Sequence, residues 1–147
     1  MGMLMSVLVS TYMRSFDSTS FDTQYFYRSM GLCAIFYIIH NVVHFLVGKA
    51  LPSQSLLETI ATTGYEFVYA GVAGLFKRAP KVVFIPVLCY AGVAAFFHGV
   101  QIEIIRIKAA AEQNLSSAAQ IQAQNIVALG LGALEAAMVV AIALFAL

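Results

Sequence analysis

Charge is what this sequence has least of. Lys and Arg number 8 and Asp and Glu 7 in 147 residues, so 10% of the chain is charged. Soluble domains carry about 25%. Too few charges are present to coat a water-facing surface, and a soluble globular domain is excluded on that ground. No basic tail or basic run occurs and the formal net charge is +1, so nucleic acid is not an expected partner. Tryptophan is absent, and 7 Tyr and 11 Phe must supply any interfacial aromatic belt. The 2 cysteines, Cys33 and Cys89, both fall in apolar segments. They have neither metal-ligand spacing nor the pattern of a disulfide framework, and they read as small buried hydrophobes. No phosphate-binding glycine loop occurs. Ser/His/Asp, Cys/His and paired-carboxylate motifs at recognisable spacing are also missing, so the chain is not expected to be an enzyme.

What is there is apolar. Hydrophobic residues make up 61% of the chain and the mean hydropathy is +0.87. Hydrocarbon must be much of its solvent, and the class is all-α integral membrane protein. Residues 1–29 are mixed, with a polar aromatic stretch "SFDSTSFDTQYFYRS", and read as an N-terminal surface or interfacial arm. "MGMLMS" matches a myristoylation pattern by chance, and no charged region followed by a secretory cleavage site is visible.

A bundle of about four transmembrane helices is expected over residues 30–147, because each span needs roughly twenty mostly apolar residues. The spans predicted are 30–48, ended by Lys49 and Pro52; 56–76, which carries Glu58 and Glu66; 82–102, with Pro86 in its first turns; and 125–147. Between the last two, "EIIRIKAAAEQNLSSAAQIQAQ" continues as an amphipathic helix outside the bilayer. Arg14, Arg28, Lys77, Arg78 and Lys81 are expected on one side, and Lys49, Arg106 and Lys108 on the other. Their balance puts both termini on the cytoplasmic or matrix side. Small residues recur every fourth position at Ala91, Ala95, Gly99 and at Ala128, Gly132, Ala136. This spacing lets helix backbones approach closely.

Ionisable groups inside hydrocarbon are costly, so each is either partnered by another helix or functional. Cys33, Tyr37, His40, His44 and Gly48 share one helix face by their spacing. With four crossings, His44 and His98 fall at similar depth, where two imidazoles are a candidate cofactor site for haem b. A zinc site built on His40 and His44 lacks a third ligand on that helix. Glu66 lies among Thr62, Thr63, Tyr65 and Tyr69 and is either a helix–helix hydrogen-bond partner or a station on a proton path. Glu103 is expected at the membrane edge. Glu135 shares a face with Leu131, Gly132, Met138 and Val139, which turns it into the bundle, and is the second proton-path candidate.

The stretch "QNIVALGLGALEAAMVVAIAL" resembles the last helix of the smallest core membrane subunit (4L) of respiratory complex I. The resemblance implies a mid-membrane glutamate in a proton-conducting axis, and Glu135 is the matching position. It covers that helix alone. The family has three helices and a second mid-membrane glutamate in the preceding helix, which this chain does not match.

Three functions follow as expectations. The first is an accessory or structural subunit of a multi-subunit respiratory-chain complex in the mitochondrial inner membrane. It would be non-catalytic itself and pack against other membrane subunits and lipids of the electron-transport assembly. The second is a haem b or quinone-binding anchor using His44 and His98. The third is a small homo-oligomeric proton or ion transporter using Glu66 and Glu135.

Overall fold

The computed structural model describes residues 2–15, 22–48, 60, 64–112 and 118–147. It is all-helical, with no strand among the described residues. The elements are α1 (Gly2–Ser15), α2 (Thr23–Gly48), α3 (Glu66–Leu75), α4 (Lys81–Glu112) and α5 (Ala118–Ala141), the last continuing as a π-helical turn over Ile142–Ala146.

Among the described residues, three helical stretches are long and apolar enough to cross a membrane: Thr23–Val47, Lys81–Glu112 and Ala119–Ala146. This corrects the expected four. In place of a span over 56–76, the described part forms α3, a helix of 10 residues. At 1.5 Å per residue it is about 15 Å long, half of a roughly 30 Å hydrocarbon layer. Three glycines and a turn at Gly64–Tyr65 break the apolar pattern that the sequence suggests. Lys49, Pro52, Glu58, Thr62 and Thr63 lie outside the described residues.

α1 runs beside α3 and in the same direction. The pairing is close because glycine lets it be: a Cβ on Gly71 would collide with Ser6 Oγ. Ser6 donates a hydrogen bond to the Phe67 carbonyl and Ser10 donates to that of Leu147 at 3.0 Å. Val7 and Thr11 are fully buried. The segment read as a surface arm thus contains a helix with a buried face. α2 begins at Thr23, seven residues before the expected span, because Asp22 caps it: Oδ1 accepts from Tyr25 N at 2.9 Å.

α4 and α5 form a long antiparallel hairpin. The two small-residue stripes of the sequence meet in it. A Cβ on Gly132 would collide with Val100 and with the Phe96 carbonyl oxygen, and Ala91, Ala95, Gly99 and Ala128 are buried. Side chains from all five helices, among them Val7, Cys33, Phe67, Ala95 and Val139, meet in one apolar core. A smaller core of Ile107, Ala128 and Leu131 holds the hairpin together beyond it. Cys33 is buried as expected; Cys89 is exposed.

Five of the cations gather at one end. Arg78 donates to the Arg14 carbonyl at 2.6 Å and Lys77 to that of Leu144 at 2.9 Å. Arg14, Arg28 and Lys77 line one shallow cavity there, and Lys81 opens α4 next to them in sequence.

Candidate functional site

Four ionisable side chains from three helices meet inside the bundle. α2 supplies His40 and His44, each 1% exposed. Their i, i+4 spacing places both on one helix face, with ring centroids 5.7 Å apart and planes inclined by 29°. α3 brings Glu66 to one end of this pair: His40 Nε2 and Glu66 Oε1 are 3.0 Å apart. α5 brings Glu135 to the other: His44 Nε2 and Glu135 Oε1 are 3.7 Å apart. Glu66 thus contacts His40, and Glu135 contacts His44.

The local sequence explains each placement. Glu66 occupies the first turn of α3, where the helix dipole favours a carboxylate. Glu135 faces inward because Leu131, Met138 and Val139, its neighbours at helical spacing, are buried too. Room for its carboxyl is made by α4: a Cβ on Gly99 would overlap the Glu135 oxygens. Counting along the helices, Glu66 is eleven residues from Lys77, His40 twelve from Arg28 and Glu135 twelve from Leu147. At 1.5 Å per residue the site lies about 16–18 Å from the cationic end, a distance of about half the thickness of a 30 Å hydrocarbon layer.

The polar groups are incompletely satisfied. Neither ring nitrogen of His40 makes a hydrogen bond to a described residue, and neither does Glu66 Oε1, although His40 and Glu66 approach closely. Buried polar atoms are rarely left so. One ligand atom each from His40, His44 and Glu135 lies within 4.8 Å of the others.

His98 goes elsewhere. Its ring packs edge-on against Tyr65 and Tyr69, at centroid distances of 5.7 and 6.1 Å. His44 is occupied by His40 and Glu135 instead. The structure therefore gathers three of the four sequence-picked residues, His44, Glu66 and Glu135, into one site and leaves His98 in an aromatic pocket beside it. Glu103, expected at the membrane edge, is 2% exposed, and its Oε1 accepts from Arg106 Nη1 at 2.8 Å. His40 is the residue for which the sequence offers only a two-ligand zinc site with His44. The H-x-x-x-H spacing was its signal, and what was missing was the third donor, supplied from another helix.

Compared with known proteins, the chain matches no family, no curated protein and no solved structure.

Proposed function

We propose that this chain is a non-catalytic membrane subunit of a larger respiratory-chain assembly, holding neighbouring subunits together by helix packing. The observation that carries the reading is the bare start of α4. None of residues 81–90 is buried, and Val82 and Tyr90 are 84% and 73% exposed. Of the most apolar windows of α2 and α4, 17% and 22% of residues are buried inside the chain, against 44% for the last helix. An exposed tyrosine on a stretch of helix with no fully buried residue suits a protein neighbour better than lipid tails alone, because its hydroxyl needs a partner.

The likeness of α5 around Glu135 to the 4L helix supports the choice of a respiratory assembly, and with it the inner mitochondrial membrane and the matrix side for the cationic end. The test is the native mass of the particle carrying this chain after gentle detergent extraction. Co-migration with respiratory subunits at a mass many times 15.9 kDa is expected. A monomer or a small homo-oligomer overturns the reading.

A further inference from the structure

We propose that His40, His44, Glu66 and Glu135 bind one divalent first-row transition-metal ion, zinc by their donor set, as a structural clasp joining α2, α3 and α5. The inference does not depend on which assembly the chain joins.

The donors are of the right kind and number. Two imidazoles and two carboxylates suit zinc, which is borderline in softness and four-coordinate in closed structural sites. Bonds of about 2.0–2.2 Å place tetrahedral ligands roughly 3.3–3.6 Å apart. The two His–Glu separations, 3.0 and 3.7 Å, bracket that edge. One ligand atom each from His40, His44 and Glu135 lies within 4.8 Å of the others, so these three close onto an ion with about an ångström of side-chain rotation, and Glu66, held 3.0 Å from His40 Nε2, swings in as the fourth ligand.

Charge also balances. Two carboxylates and a divalent cation sum to zero with neutral imidazoles, and a net charge is what the hydrocarbon interior resists. The ion would take up one imidazole lone pair and one carboxylate oxygen: His40 is 1% exposed and Glu66 4% exposed, and neither a His40 ring nitrogen nor Glu66 Oε1 is hydrogen-bonded to a described residue. Two helix-to-helix His–Glu proton contacts are the competing account. They would employ the same four residues, but they do not account for His40, His44 and Glu135 each bringing a ligand atom within 4.8 Å of the others.

The sequence alone does not reach this site. It offers two ligands on one helix, and the third and fourth arrive from residues 22 and 91 positions further along the chain. Gly99 makes a fifth contribution without ligating, by vacating the volume that the Glu135 carboxyl fills.

The test is elemental analysis of the assembly that contains the chain, extracted in mild detergent and passed over a chelating resin. About one zinc, or one other first-row divalent ion, per copy beyond the content of an assembly lacking the chain is expected. His40→Ala and Glu135→Gln should each lower that increment at least tenfold, while His98→Ala leaves it intact. If the site variants fail to accumulate, X-ray absorption at the metal edge of the unmutated particle decides instead. A shell of two nitrogens and two oxygens near 2.0–2.1 Å is expected. No increment of metal, an increment that survives His40→Ala, or a sulfur-containing shell overturns the proposal.

Discussion

The Glu135 carboxyl occupies the space that any side chain on Gly99 would need. One helix omits a side chain so that the next can place an acid in the interior. Gly99→Ala should therefore cost about 2 kcal/mol, in the range of overpacked cores. In the Glu135→Ala background the same substitution should cost little. A double-mutant cycle on thermal stability in detergent should show an interaction of at least about 1 kcal/mol. Additive effects would mean that α4 and α5 move apart freely at this level.

Two neighbouring glycines should behave oppositely. Gly132 faces Val100 and the Phe96 carbonyl, whereas a Cβ on Gly130 meets nothing within 4 Å. Gly132→Ala should destabilise by about 1–3 kcal/mol. Gly130→Ala should be neutral or stabilise by up to about 1 kcal/mol through helix propensity. Equal losses at both positions would show that the hairpin does not pack through its small-residue stripe.

Arg106 holds a buried acid. Glu103 is 2% exposed and accepts its guanidinium one helical turn away. Arg106→Ala leaves that carboxylate without its cation, at a cost on the order of 3 kcal/mol. Glu103→Gln in the same chain should recover most of the loss, read as melting temperature. Failure of Glu103→Gln to rescue would mean that the arginine acts through its stem and not its charge.

The bare start of α4 yields a chemical prediction. A photo-crosslinking residue at Tyr90 or Val82 should form protein adducts in the native membrane. One at Leu131, which is 1% exposed, should react within the chain alone. Lipid adducts only at Tyr90 and Val82 would remove the observation on which the subunit reading stands.

Much of the architecture could be read from the sequence, because a membrane solvent leaves few options for the backbone. The apolar runs around His40, Ala95 and Glu135 form the three long helices, and the small-residue stripes locate the α4–α5 contact. The residues around Glu66 misled. An apolar window long enough to span contains a helix of 10 residues, because hydropathy averages over the turn at Gly64–Tyr65 that ends it. At Glu103 the sequence does not reveal the partner: Arg106, one turn further on, folds back to pair with it. His98 was paired with His44 on depth alone. Depth is legible in a sequence, but the rotation of each helix about its axis is set by packing, and it turns His98 toward Tyr65 and Tyr69.

The site's donors are strung far apart along the chain, and that fixes when it can close. His40 and His44 leave the ribosome first, Glu66 follows, and Glu135 comes 91 residues after His44. At about 5–20 residues per second, α2 waits roughly 5–20 s for its last partner. Through that interval two imidazoles sit in a newly inserted helix with nothing from α5 against them. Synthesis that stops short of α5 leaves His44 without its Glu135 contact permanently.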